Sequence, residues 1–277
     1  MVAVLGHGVM PADTPILRAD DLGVLRGDGI FETLHVRGGE PWLLDEHLAR
    51  MASSARRLDL DLPDRDALAW LAAQACGAWP AATEGALRLV CTRGSERGGP
   101  VTVFALVGAV SDEIRRSRRD GLAVRTATLG LSISVRREAP WLLGGAKTLS
   151  YAVNMASLRW AREAGVDDML WTSAEGYVLE APTSTLVWLD GGTLCTVPVE
   201  RTGVLPGTTA RWLFDHAGDL GLDTAERMAR PGDLPGSDGV WLTSSVRGCA
   251  PVRELDGARL PVSPRTAAIQ DLLGYPV

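Results

Sequence analysis

Of the 28 cationic side chains in this 277-residue chain, 27 are arginine and one is lysine: Lys147, in Gly144-Gly145-Ala146-Lys147-Thr148-Leu149-Ser150-Tyr151. The two side chains can replace each other as surface charges but not as nucleophiles. A guanidinium stays protonated, whereas an ε-amine deprotonated by burial or neighbouring charge can attack a carbonyl. A chain with arginine everywhere else suggests that position 147 needs an amine. The bland alternative is biased composition with one chance survivor.

An amine nucleophile of this kind can form a Schiff base with pyridoxal phosphate or with a carbonyl substrate. A pyridoxal phosphate site also needs a carboxylate opposite the pyridine nitrogen and a cradle of amides, hydroxyls and an arginine for the phosphate. Glu180 ends the apolar strand segment expected over Tyr177-Val178-Leu179, where a carboxylate is costly unless it meets a cation; a surface hairpin Glu is the ordinary alternative. Val204-Leu205-Pro206-Gly207-Thr208-Thr209-Ala210-Arg211 reads as a turn entering a helix, with free amides and two hydroxyls at the helix start. Taken alone it is an ordinary capped helix. Thr243-Ser244-Ser245 adds hydroxyls at a strand end.

The elements that must position these residues are mixed. Residues 30–36 alternate apolar and polar side chains as a half-buried strand does; 37–40 form a hairpin turn, and 41–44 start a return strand. Asp45 is placed to cap a helix carrying Leu48, Met51, Ala52, Ala55 and Leu58 at helical spacing. A second helix is expected over 64–78, then paired strands over 87–91 and 101–107. The polar stretch 111–121 lacks core spacing and is the candidate linker; its run Arg115-Arg116-Ser117-Arg118-Arg119 reads as a solvated loop. Beyond it come a strand over 122–128, the Lys147 loop, a helix over 150–164 and a strand over 168–172. Strands over 185–189, 193–197 and 239–243, a helix after Gly207 to about Ala217, a strand near Val252 and a closing helix over 264–273 complete the chain. Alternation of this kind with many hairpins argues α+β. No GxGxxG follows a strand, which argues against a dinucleotide fold.

Composition narrows the function. Net charge is −6, with no basic stripe for nucleic acid. No apolar run reaches the ~18 residues of a membrane span, and residues 1–7 lack a signal-peptide pattern, so a cytoplasmic setting with reduced thiols is expected. Cys76, Cys91, Cys195 and Cys249, and His7, His35, His47 and His216, show no metal-ligand spacing, so no metal is expected.

Taken in order, six blocks resemble the fold type IV, or class IV, pyridoxal-phosphate enzymes. They are residues 26–34 (Arg-Gly-Asp-Gly-Ile-Phe-Glu-Thr-Leu), 46–51 (Glu-His-Leu-Ala-Arg-Met), 147–151, 163–168, 176–180 and 205–211. That family includes branched-chain and D-amino acid aminotransferases and 4-amino-4-deoxychorismate lyases. The resemblance implies two domains, a smaller N-terminal α/β sandwich (1–113) and a larger C-terminal pseudo-barrel (121–277), joined by a linker at 114–120. It implies a homodimer acting on a small-molecule substrate, without nucleic acid or membrane. It also implies roles: Lys147 as the Schiff-base residue that then moves the Cα proton; Glu180 at the pyridinium nitrogen; Tyr151 beside the ring; Arg50, Leu205, Gly207, Thr208, Thr209 and Ser245 for the phosphate. One departure stands after Glu180, where the family commonly has Gly or Ser and then Asn; here the run is Ala181-Pro182-Thr183-Ser184-Thr185.

The same resemblance divides between two reactions. Thr33 and the run Arg93-Gly94-Ser95-Glu96-Arg97-Gly98-Gly99 look more like the lyases, although Gly99 departs from both patterns. A 4-amino-4-deoxychorismate lyase releasing pyruvate and 4-aminobenzoate, a step of folate biosynthesis, is therefore the favoured reading. A class IV aminotransferase acting on D-amino or branched-chain amino acids with 2-oxoglutarate is the alternative. A non-catalytic relative is a third reading, disfavoured by the intact Lys147 and Glu180. Thr33, Arg88, Arg97 and Arg247 are candidate substrate residues, the arginines as carboxylate receptors.

Overall fold

The computed structural model describes residues 1–276, the side chain of Arg137 excepted. The chain divides into two compact units: residues 1–111 with 146–151, and residues 112–145 with 152–277.

The first unit is built on an antiparallel sheet. Its strands are β1 (Val2–Val4), β2 (Gly8–Met10), β3 (Gly29–Arg37), β4 (Glu40–Pro41), β5 (Gly85–Thr92) and β6 (Thr102–Ala109), in the order β2-β1-β6-β5-β3-β4. The short α1 (Leu22–Arg26) precedes β3, and α2 (Leu44–Arg57) and α3 (Arg65–Gly77) follow β4. The alternation read in the sequence turns Ile30, Leu34 and Val36 into a core with Leu87, Leu89 and Val107, and with Leu48, Met51, Leu68 and Leu71 of the two helices. Asp64 caps α3 by accepting the Ala67 N–H at 2.8 Å. Asp45 is not a cap: the N-cap is Leu43, two residues earlier and in the left-handed region at φ 57, and Asp45 lies in the first turn beside the positive helix end.

The second unit contains α4 (Asp112–Asp120), β7 (Leu122–Thr128), α5 (Val135–Glu138), α6 (Ala152–Glu163), β8 (Asp168–Thr172), β9 (Thr185–Asp190), β10 (Thr193–Thr196), α7 (Val199–Thr202), α8 (Thr208–Asp215), β11 (Asp223–Glu226), β12 (Gly239–Ser244), β13 (Gly248–Leu255), β14 (Ala258–Arg259) and α9 (Thr266–Leu273). Its mixed sheet runs β11-β10-β9-β12-β13-β7-β8, with β14 on β13. The β7 pairings to β13 and β8 are parallel, while β9–β12 and β12–β13 are antiparallel. Leu170, Val178, Leu186, Trp188, Leu242 and Ala250 centre its core.

Two expectations need correction. The expected linker 114–120 is part of α4, and the basic run is no solvated loop: Arg118 is 1% exposed. Its polar pattern hid a helix because the buried cation is met by backbone carbonyls rather than by apolar spacing. Residues 177–179 form no regular strand. They lean on the end of β8: Val178 bridges Thr172, Leu179 N–H donates to Trp171 O at 2.8 Å, and Trp171 N–H donates to Glu180 O at 3.0 Å.

Candidate active site

In the first unit, Lys147 lies on a segment that adds itself to the free edge of β3. Phe31 N–H donates to Lys147 O (3.1 Å), Leu149 N–H donates to Gly29 O (2.9 Å), and Ile30 bridges Thr148. The two glycines of Arg26-Gly27-Asp28-Gly29 permit this approach. Gly27 has φ +69, and a Cβ there would meet the Ser150 backbone at 3.0 Å; at Gly29 it would meet Leu149 at 2.7 Å. The Lys147 N–H donates to the buried Ser54 hydroxyl at 3.1 Å. Its Nζ rests 4.4 Å from the Phe31 ring centre and 5.5 Å from that of Tyr151, and the two rings meet edge to face at 5.2 Å. The amine is thus held against aromatic surface by a backbone bonded on two sides.

Behind it is a buried ionic cluster. Glu32 shares the core face of β3 with Ile30 and Leu34 and is fully buried. Arg50 donates Nε to Glu32 Oε1 (2.8 Å) and Nη2 to Oε2 (2.6 Å), and His47 Nδ1 lies 2.6 Å from Oε2. Burial alone would raise the Glu32 pKa, but Arg50 and His47 outweigh it and hold the carboxyl at about 2. Burial dominates at His47 and depresses its pKa, so a neutral imidazole donates Nδ1–H to the carboxylate. His47, Arg50 and Ser54 recur at helical spacing, so α2 presents one polar stripe that serves both Glu32 and the lysine segment. Arg50, singled out as a phosphate residue, is therefore anchored by Glu32.

In the second unit, Glu180 receives two donors: Arg136 Nη1 on Oε1 at 3.0 Å and the Leu205 N–H on Oε2 at 3.0 Å. Arg136 also donates to Gly203 O at 3.2 Å. A carboxylate has about four acceptor positions, so a further N–H donor can still be accommodated. The Leu205–Thr209 turn thus reaches the carboxylate through its first amide and starts α8 with its last residues. Gly207 is the N-cap and supplies no side-chain cap. A Cβ there would collide with Thr185 Oγ1. Thr208 Oγ1 lies 3.3 Å from Ser245 Oγ. The Thr209 hydroxyl is buried, the residue being 1% exposed, and has no hydrogen-bond partner among the described residues. First-turn amides lack intrahelical acceptors, and a buried hydroxyl without a partner is costly. A phosphate would satisfy both, so these residues fit the phosphate of the expected cofactor.

The candidate substrate residues separate. Arg88 stands opposite Thr33 in the β3–β5 register, on the sheet face that also carries Phe31, and is exposed. Among the described residues it makes no ion pair. Arg97 is exposed on a loop, 3.8 Å from Asp20. Arg247 is not a free carboxylate receptor: its Nη1 donates to buried Asp168 (2.7 Å) and to Ser184 Oγ (2.8 Å), both far away in sequence. Sequence reasoning missed Glu32, Ser54 and Arg136. Only Glu32 had a visible signal, as the one charge on the apolar side of an alternating strand.

Other nucleophiles are poorly placed. All four cysteines are buried, and burial pushes the thiols of Cys76 and Cys91 up to about 11 and about 12. Among the described residues no cluster of His, Cys, Asp or Glu could hold a metal ion, and no helix is long and apolar enough to cross a membrane.

Comparison with known proteins agrees with this arrangement. Residues 29–255 match the family model described as amino-transferase class IV. A bifunctional aminodeoxychorismate lyase / D-amino acid transaminase of Mycobacterium tuberculosis is 42% identical over 281 residues, covering 99% of this chain and 97% of that one. A hypothetical aminotransferase from Mycobacterium tuberculosis in its PLP-bound form superposes with a TM-score of 0.94 at 42% identity, covering 99% and 97% of the two chains. A fold IV transaminase from Curtobacterium pusillum superposes with a TM-score of 0.90 at 36% identity, covering 95% and 89%.

Proposed function

The chain belongs to the class IV aminotransferase family, and from that premise we propose that it is a pyridoxal-phosphate enzyme acting as a 4-amino-4-deoxychorismate lyase. When bound, the cofactor supplies an aldehyde for a Schiff base and a protonated ring that draws electrons from the adjacent C–H bond. Lys147 would hold the aldehyde. Its free ε-amine would then take the proton from the substrate carbon bearing the amine. Glu180, kept in place by Arg136 and Leu205 N–H, would accept the hydrogen bond of the ring nitrogen. Tyr151 would lie beside the ring. Leu205, Gly207, Thr208, Thr209 and Ser245 would hold the phosphate through amides and hydroxyls, and Arg50 would add charge.

The observation that carries the substrate class is Arg88. Among the described residues it is a cation without an ion-pair partner, opposite Thr33 and on the sheet face of the ring that backs the Lys147 amine. A substrate carboxylate is its natural complement, and exposed Arg97 is a second receptor. Aminodeoxychorismate carries two carboxylates. Loss of its C–H proton, rupture of the ring C–O bond to release enolpyruvate, and aromatisation yield pyruvate and 4-aminobenzoate without a second amino acid. Such an enzyme serves folate biosynthesis in the cytoplasm, and we propose a homodimer in solution.

D-amino acid transamination with 2-oxoglutarate is the second reading, favoured by the double name of the 42% identical relative. One paired assay decides. Formation of 4-aminobenzoate from aminodeoxychorismate with no keto acid present supports the lyase. Product only when an amino group passes from a D-amino acid to 2-oxoglutarate replaces it with the aminotransferase.

A further inference from the structure

The turn bearing Ser245, between β12 and β13, is gripped from behind by residues outside the proposed site. Three successive carbonyls are engaged. Tyr275 OH donates to Ser245 O at 2.5 Å, Arg118 Nη2 to Val246 O at 2.6 Å, and Arg118 Nε to Arg247 O at 3.2 Å. The third guanidinium nitrogen, Nη1, donates to Pro276 O at 2.9 Å. The guanidinium carbon lies 5.0 Å from the Tyr275 ring centre. Gln270 of α9 ties the assembly together by donating to Arg118 O (2.8 Å) and Cys249 O (2.9 Å). Gly248 closes the turn at φ +71, and a Cβ there would press on the Tyr275 ring at 2.7 Å. A guanidinium this deeply buried is costly, and here two of its three nitrogens hold one turn. On the other side of that turn, the Ser245 hydroxyl faces Thr208, next to the unpartnered hydroxyl of Thr209.

We propose that Arg118 and Tyr275 are positioning residues for the phosphate: they fix the 244–248 turn so that the Ser245 hydroxyl completes the cradle at the start of α8. This rests on the phosphate reading of that cradle. Arg118 and Tyr275 hydrogen-bond the Ser245, Val246 and Arg247 carbonyls, so the clamp acts on the ligand through Ser245, at its phosphate end. It therefore sets how strongly the protein prefers a phosphorylated pyridoxal over an unphosphorylated one.

The test uses the full chain, freed of cofactor and titrated with pyridoxal 5'-phosphate or with pyridoxal, followed by the absorbance of the bound chromophore. Tyr275→Phe keeps the ring under Arg118 and removes one donor. Its affinity for pyridoxal phosphate should fall about three- to tenfold, as loss of one hydrogen bond predicts, while its affinity for pyridoxal stays as in the parent protein. Arg118→Lys, which keeps the charge and loses the fork, should move the ratio in the same direction. An unchanged ratio in Tyr275→Phe, or an equal loss for both ligands, overturns the proposal. If the parent protein itself bound the two ligands equally, the phosphate reading of the cradle would fall first, and the clamp with it.

Discussion

Arg136 donates Nη1 to Oε1 of Glu180 at 3.0 Å and to Gly203 O with the same nitrogen, so one cation links the carboxylate to the loop that precedes the Leu205–Thr209 turn. Arg136→Gln removes the charge and should lower kcat/KM about 10- to 100-fold, the range for a hydrogen bond to a charged group. Arg136→Lys should recover part of this. Steady-state kinetics with absorbance spectra of the bound cofactor check it; wild-type kinetics in Arg136→Gln would remove Arg136 from the site.

Lys147 carries the amine on which the proposed chemistry depends. Lys147→Ala and Lys147→Arg should both lack the yellow Schiff-base band and lose at least ~10³-fold in activity, because a guanidinium keeps the charge without the nucleophile. Borohydride reduction of the loaded protein should fix the cofactor on a single peptide containing residue 147, read by mass spectrometry. Cofactor fixed elsewhere would refute the assignment.

Glu32 is a buried carboxylate whose folded pKa lies below its ordinary value, with burial opposing and Arg50 and His47 prevailing. A group of this sign adds stability above its unfolded pKa and loses it as the pH falls through the folded one. Stability should therefore drop between about pH 4.5 and about 2 more steeply in the parent protein than in Glu32→Gln. At neutral pH, Glu32→Gln should cost about 3–5 kcal/mol, because Arg50 stays buried without its counter-charge. Urea unfolding at a series of pH values measures both.

Gly207 has no room for a Cβ against Thr185. Gly207→Ala should cost about 1–3 kcal/mol of stability from overpacking and should weaken pyridoxal phosphate binding, since the turn must shift. Urea midpoints with and without the cofactor separate the two effects; a variant matching the parent in both would show the turn to be slack.

Local order in the sequence accounts for what was legible. The alternation of residues 30–36 and the helical spacing of 48–58 encode their own burial, and the lone amine and the Gly-Thr-Thr turn encode chemistry by residue type. What stayed hidden depends on distant partners. Arg247 read as a carboxylate receptor because nothing near it in sequence announces Asp168, 79 residues away. Arg118 read as a loop cation because its acceptors are carbonyls near residues 246 and 276, which any residue carries. Glu32 lay in plain view: a charge flanked at i−2 and i+2 by Ile30 and Leu34 must find a cation, and the Arg50 that meets it was already marked for another role.

The lysine segment belongs to a unit whose remaining residues end at 111, yet it is reached only after 34 residues of the other unit have been made. During synthesis, the edge of β3 at residues 29–31 has no partner until residue 149 has left the ribosome. The first unit therefore cannot close when residue 111 emerges, as a continuous N-terminal unit could; it waits for residues 146–151. The contact that positions the amine is a long-range pairing of residues 29–31 with 147–149, the class of contact whose loop closure is costly. The single lysine of the chain thus takes its place against β3 only when the first unit closes.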